Sequence, residues 1–279
     1  MIRLLLLLLP ILAALADRRP FANGHDPDRP WWTVTTINAP QAVRGTKRRL
    51  LRWPARGRRL RQLLRDHWVV LAGLQEAGPK TLTGFKNAAR WAVRLATPNE
   101  KRGNWEVCNG IVTWLAVMRR LHRRTFRIRR INFRTPRWLF IPVQLCADTV
   151  TGDRLIFISG HADRKKTAPA ANRYVLTQIA KLGKWLHQAT GCPVSVVIDG
   201  NNDKGADDIF HAQGASHLAG DHIDKVYGWG LEGRNARTLT GFTRVVTDHG
   251  NPPAVDVSPL QDCRNFDLNK IPRLPKELR

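Results

Sequence analysis

Short runs of β-branched and aromatic residues, separated by Gly, Pro, Asn and Asp, recur along most of the chain and read as strands. Trp31 to Ile37 is the first such run, and it stops at Asn38. Val69 to Leu74 is apolar throughout, the pattern of a strand covered on both faces, and it delivers Gln75 and Glu76 at its C-terminal end. The same criteria predict strands at Gly110 to Val117, Phe126 to Phe133, Leu139 to Leu145, Leu155 to Ser159 and Val194 to Ile198, with shorter ones at Ile223 to Trp229, Phe242 to Val246 and Ala254 to Val257.

Two segments carry helical spacing instead. Ala170 to Gln188 places Val175, Ile179, Leu182 and Leu186 on one stripe, and Thr190-Gly191 with Pro193 end it. Arg44 to Arg65 holds ten basic residues and no acid, with Leu60, Leu63 and Leu64 at helical spacing and a possible break at Pro54. No segment repeats at a period of 20 to 50 residues, which excludes solenoids and propellers. Asn23 to Pro30 reads as a Gly/Asp/Pro-rich linker, and Pro259 to Arg279 as a polar tail with little core of its own.

Composition adds a partner to this picture. The 279 residues include 46 Lys plus Arg against 22 Asp plus Glu, a net charge of +24. Self-repulsion on that scale is offset by a polyanion, and nucleic acid is the leading one. The longest apolar run, Leu4 to Ala16, has 13 residues and is too short to cross a bilayer core, so no transmembrane span is expected. Residues 1–16 have the layout of a secretory signal instead: Arg3, the apolar run, and Ala14-Leu15-Ala16 before Asp17. On that layout the protein is expected to be secreted. The four cysteines show no zinc-ligand spacing, and one or two disulfides are open among them.

Polar residues suited to metal or proton chemistry recur where strands stop: Asn38, Gln75-Glu76, His161, Asp199-Gly200-Asn201, Asp224 and Asp248-His249. Ends of neighbouring strands converge at one edge of a sheet, so these residues can meet in one cleft. Their order from Trp31 to Val257 resembles the endonuclease/exonuclease/phosphatase superfamily, in particular its DNase I-like members. The family's strand-ending Asn falls on Asn38, its Gln-Glu pair on Gln75-Glu76, its mid-chain His on His161 and its Asp-x-Asn on Asp199-Gly200-Asn201. Its later Asp falls on Asp224, and its Ser-Asp-His on Thr247-Asp248-His249. Two departures stand out: Ile198 replaces the usual Gly, and Glu106 and Asn109 both compete for the place of the first histidine's upstream partner.

The resemblance implies an α/β (α+β) fold, a four-layer αββα sandwich of two mainly antiparallel sheets spanning 31–258, with the cleft at one edge. It implies metal-dependent phosphodiester hydrolysis, with nucleic acid as substrate and DNA favoured over RNA. Glu76, with Asn38 and Asp248, would hold Mg²⁺ or Mn²⁺ through hard oxygen ligands. His161 and His249 would act as general acid and base in an undetermined order, with Asp224 behind His249. Asp199 would orient water, and Asn201 would donate to phosphate. Two acid-poor blocks, Arg44 to Arg65 and Arg119 to Arg137, read as phosphate contacts, among them Arg56, Arg58, Arg59, Arg61, Arg127 and Arg129. Alternatives within the fold are a lipid or inositol phosphodiesterase or phosphatase; outside catalysis, the alternative is a polyanion-binding protein.

Overall fold

The structure, a computed structural model, describes residues 30–40, 54–79, 83–85, 88–96, 108–129, 138–162, 168–201, 205–243, 246–247, 249–266 and 275. The leader and most of the linker, Arg44 to Arg52, Glu106, Arg130 to Arg137, Asp248 and most of the tail lie outside these, as does the side chain of Arg129. Among the described residues, twelve strands form two six-stranded sheets. The first runs in the order β11 (Leu231–Thr238), β12 (Pro253–Pro259), β1 (Trp32–Asn38), β2 (Val69–Ala77), β4 (Cys108–Trp114), β3 (Trp91–Leu95). The second runs β5 (Met118–Arg129), β6 (Trp138–Asp148), β7 (Arg154–His161), β8 (Val194–Asp199), β10 (Asp224–Trp229), β9 (Ser216–Ala219).

Each sheet is antiparallel except at its centre, where β1 and β2, and β7 and β8, run parallel. A parallel pair needs a crossover, and a helix supplies each one. Helix α1 (Ala55–Asp66) joins β1 to β2, and α2 (Pro169–Thr190) joins β7 to β8; a short α3 (Gly205–His211) follows β8. Three apolar clusters separate the layers. Ile37, Leu74, Val112 and Ala254 pack against Leu60, Leu63 and Leu64 of α1. Trp32, Leu71, Phe157, Val197 and Val255 fill the space between the sheets. Ile158, Val196 and Tyr227 pack against Val175, Ile179 and Leu182 of α2. The order helix, sheet, sheet, helix is the four-layer sandwich expected from the resemblance.

Chemistry at the termini of α2 explains its bounds. Pro169 sits where its missing N–H costs nothing, and Gly191 closes the helix at φ 66°, the left-handed cap position. Helix α1 has no acid in its first turn and no side-chain cap, so its stability rests on the buried leucine stripe. The sheets approach closely at Gly73, where an added Cβ would lie 2.1 Å from Val197 Cγ2 and 2.8 Å from Ser159 Oγ.

Several expected elements differ. Gly110 to Val117 is strand only to Trp114, after which a turn leads into β5. Of the strand expected over Phe242 to Val246, Arg244 and Val245 lie outside the described residues; around them a turn is closed where the Phe242 carbonyl accepts from the N–H groups of both Val246 and Thr247. That turn lets Phe242 and Val246 bury on the same side. The start of the tail is not an appendage: Cys263 is disulfide-bonded to Cys192, and Phe266 packs on the α2-side core. Cys146 is a buried thiol, which desolvation pushes up to about 12, so burial holds it in the protonated form. Among the described residues, no helix is long and apolar enough to cross a membrane.

Candidate active site

Both parallel pairs end at the same edge of the sandwich, and strand register brings their last residues together. In the second sheet His161 lies opposite Asp199, and Asp199 opposite Asp224. Cross-strand neighbours share a face, so one imidazole and two carboxylates stand side by side facing the first sheet. In the first sheet Asn38 lies opposite Gln75. Between the sheets, Asn38 Nδ2 donates to Asp199 Oδ2 at 3.1 Å. Deeper in, the buried Gln75 accepts from Thr36 and donates to Ser159 Oγ at 3.3 Å, a second polar bridge beneath the site.

Asp199, 1% exposed, is the hub. Its Oδ2 lies 3.4 Å from His161 Nε2 and 4.0 Å from His249 Nδ1, and its Oδ1 accepts the Asn201 N–H at 3.1 Å. His249 Nδ1 is 3.1 Å from Asp224 Oδ2, which as a carboxylate accepts the proton there and fixes the tautomer. Burial pushes the Asp224 carboxyl above its ordinary range against the pull of the His249 hydrogen bond, and the neighbouring Asp199 charge adds to the rise. The His249 N–H donates to Thr247 Oγ1, which anchors the loop that presents the ring.

Two residues of the site hold backbone conformations that side chains avoid. Glu76 has φ 51° and Asn201 φ 49°. Asn tolerates the left-handed region, but for Glu it costs of order 1 kcal/mol or more. At Glu76 the cause is a bulge: β2 advances from Leu74 to Ala77 while β4 moves only from Gly110 to Cys108. An extra residue at a strand end re-aims a side chain toward the rim, and Glu76 is half-buried there, one position beyond Gln75.

The chain's oxygen donors fit a hard divalent cation. Once Asn38 Nδ2 is committed to Asp199, its Oδ1 is buried and has no hydrogen-bond partner among the described residues, as is the case for Asp224 Oδ1. Orphaned buried oxygens are what a cation satisfies. Asp199, Asp224 and His249 each offer one ligand atom within 4.8 Å of the others. That grouping differs from the set Asn38, Glu76 and Asp248 suggested by the resemblance, of which Asp248 lies outside the described residues.

Other candidates are placed as follows. Asn201 Nδ2 donates to the Ala162 carbonyl at 3.0 Å, so part of its donor capacity is spent on the loop after β7. Asn109 is buried and donates to the Phe140 carbonyl, a link between the sheets. Arg58 and Arg59 are exposed on α1, while Arg61 is half-buried with its guanidinium 6.0 Å from the Phe85 ring. Arg127 is exposed on β5, 4.9 Å from the Trp138 ring.

Arg56 is a correction. The charge run predicts a surface phosphate contact at this position, yet the side chain is 0% exposed. Its Nε donates to the Val246 carbonyl at 2.7 Å and its Nη1 to the Pro40 carbonyl. The leucine stripe of α1 turns this arginine inward, where it ties the segment after Asn38 to the segment before His249. Sequence reasoning missed this role and also Asn172, a buried amide on the apolar stripe of α2 that donates to the Gly200 carbonyl at 2.8 Å. A polar residue at position i of a stripe continued by Val175 and Ile179 was the available signal for Asn172.

No family model matches the chain, and no curated protein sequence does. Solved structures do. An endonuclease/exonuclease/phosphatase family protein from Bacteroides thetaiotaomicron superposes with TM-score 0.68 at 15% identity over 86% of this chain and 99% of that one. A mannosyl-6-phosphatase from the same organism gives 0.64 at 14% identity, covering 81% and 99%. D. rerio TDP2 complexed with single strand DNA product gives 0.59 at 13%, covering 81% and 98%. With the strand-end carboxylates and imidazoles gathered at one edge, the chain has the DNase I-like fold of the endonuclease/exonuclease/phosphatase proteins.

Proposed function

We propose that this protein is a divalent-metal-dependent hydrolase of nucleic-acid phosphodiesters. The observation that carries the reading is the Asp199 carboxylate, held by Asn38 from the facing sheet and flanked by His161 and His249. Binding alone requires no such grouping. In phosphodiester hydrolysis water attacks in line while charge grows on the nonbridging oxygens and on the leaving oxygen. Asp199 orients the attacking water. With Nδ1 committed to Asp224, His249 exchanges protons with substrate or water through Nε2. Asn38 Oδ1, Glu76 and the acidic side chains are the donors for Mg²⁺ or Mn²⁺, which when bound supplies charge stabilisation at the phosphoryl group.

The net charge of +24 and the exposed Arg58, Arg59, Arg119, Arg123 and Arg127 support a polymeric anion as substrate. The fold is also found in a mannosyl-6-phosphatase, so a phosphomonoester is the second reading. The deciding experiment gives the full-length protein plasmid DNA, single-stranded DNA, RNA, sphingomyelin and a sugar phosphate, with Mg²⁺ and with chelator. Metal-dependent cleavage of a nucleic acid, lost in Asp199→Asn, supports the proposal. Chelator-resistant cleavage, or turnover confined to the monoester or the lipid, overturns it.

A further inference from the structure

One flank of the sandwich carries cations that the catalytic cluster does not use. The edge strand of each sheet lies there, β3 in the first and β5 in the second. Arg94 of β3 crosses the opening between them: Nη1 donates to the Val143 carbonyl at 3.1 Å and Nη2 to Thr125 Oγ1 at 2.8 Å. On β5, Arg120 lies opposite Cys146, Arg123 opposite Gln144 and Arg127 opposite Phe140. Cys146 packs between the sheets, and Gln144 reaches Thr113 of the first sheet, so this face looks into the opening. A register shift between Arg120 and His122 keeps Arg120 and Arg123 on the same face although they are three residues apart.

Four guanidinium groups thus line one seam, and among the described residues no carboxylate pairs with any of them. Burial, then the like charges of Arg123 and Arg120, weaken the hold of Arg94 on its proton. Charged edges do protect sheets from aggregating, and that accounts for an exposed arginine on β5. It does not account for Arg94, which the opposite sheet directs into the same cluster. The row also leads to the chemistry. The β6–β7 ladder runs from Ala147 opposite Arg154 to Val143 opposite Ile158, three residues before His161, so the Arg127 end of the row, paired with Phe140, is the end directed toward the edge that carries the site.

We propose that Arg94, Arg120, Arg123 and Arg127 form an anion track that holds successive phosphates of one nucleic-acid strand leading away from the scissile bond. The inference rests on the nucleic-acid reading and names the path of the substrate. Trp138 lies beneath the Arg127 guanidinium, a cation–π contact that fixes this cation in the row.

The test measures binding of a fluorescent single-stranded oligonucleotide to the full chain in chelator, at several salt concentrations. Each single-strand phosphate contact contributes about −0.7 to the slope of log affinity against log salt. Arg120→Gln/Arg123→Gln should flatten the slope by about 1.4. In Mg²⁺ the same variant should lose at least tenfold in the ratio of kcat/KM for a 20-nucleotide strand to that for a dinucleotide. This pair leaves the hydrogen bonds of Arg94 intact. Arg120→Lys/Arg123→Lys keeps the charges and should keep the slope. An unchanged slope in the Gln variant overturns the track, as does equal loss in the Lys variant, which would report damage to the fold. A flattened slope in a protein that cleaves no nucleic acid would keep the track and overturn the enzymatic reading instead.

Discussion

The two parallel strand–helix–strand units at the centres of the sheets have the same topology and different construction. In β7-α2-β8 a helix of 22 residues, begun by a proline and closed by a left-handed glycine, lies on an apolar face. Its strands place His161 and Asp199 side by side through backbone register alone. In β1-α1-β2 a helix of 12 residues, rich in arginine and uncapped by any side chain, is fastened by one buried guanidinium to the segments on either side of the cleft. Its strands supply Asn38 and, at a bulge, Glu76. Under the proposed function, the regular unit fixes His161 and the Asp199 carboxylate beside it, where small displacements are most damaging. The irregular unit supplies oxygen donors on segments held by polar contacts, where a cation can pull ligands into place.

The largest effects test that division of labour. Asp199→Asn should lower kcat by about a thousandfold, and His161→Ala and His249→Ala by about a hundredfold or more, with KM moving less. Asn38→Leu should act mainly through the cation, raising the Mg²⁺ concentration for half-maximal rate by about tenfold. Steady-state rates titrated with Mg²⁺ separate these behaviours. If Asn38→Leu lost kcat at every metal concentration as Asp199→Asn does, the two units would share one role.

The same contrast explains what the sequence revealed. Strands β2 and β8 and helix α2 were legible because burial on both faces, or along one stripe, leaves an uninterrupted apolar signature. Strand β11 was not, because an edge strand carrying Glu232, Arg234, Asn235 and Arg237 reads as a loop; its place comes from pairing with β12. Strand β3 has five residues and none fully buried, so it too carried no pattern. Part of the candidate site was legible since Asn38, His161 and Asp199 end strands; Asp224 begins one, and His249 lies in a loop. Arg56 was misread because a run of charges hides which member the leucine stripe rotates inward. Arg94 escaped notice because only the packing of one sheet on the other shows that it faces β5.

Arg56 gives the next test. Arg56→Ala would leave the Pro40 and Val246 carbonyls without their donor and should destabilise the fold by about 3 kcal/mol, read from denaturant midpoints. Arg58→Ala, one turn-face away and exposed, should stay within about 0.5 kcal/mol. Equal effects would mean that α1 is not anchored through Arg56. A smaller loss is expected where the two units meet. Gly73→Ala pushes a methyl group into Val197 and should cost about 1 to 3 kcal/mol while the helices keep their content by circular dichroism.

The second sheet has a buried cation of its own, on β10, and it differs from Arg56 in what holds it. Lys225, 1% exposed and adjacent to Asp224, pairs with Asp207 of α3, which also accepts from Tyr227 at 2.8 Å. Carbonyl partners do not titrate, whereas this carboxylate does. Burial alone would raise the Asp207 pKa; the hydrogen bonds from Lys225 and Tyr227, with the lysine charge, outweigh it and hold the group below the ordinary range. A depressed carboxylate stabilises the fold above its unfolded pKa of about 3.9, and that contribution fades as pH falls through the folded value. Asp207 is partly exposed, so screening limits the effect to about 1 kcal/mol. Asp207→Asn should therefore lower stability at pH 7 by about that amount, with a difference from the parent that shrinks below about pH 4. Urea midpoints of both proteins from pH 7 to pH 3 measure it. A difference that stayed constant down to pH 3 would mean that the charge of Asp207 contributes nothing, and that Lys225, like Arg56, is fastened through neutral acceptors.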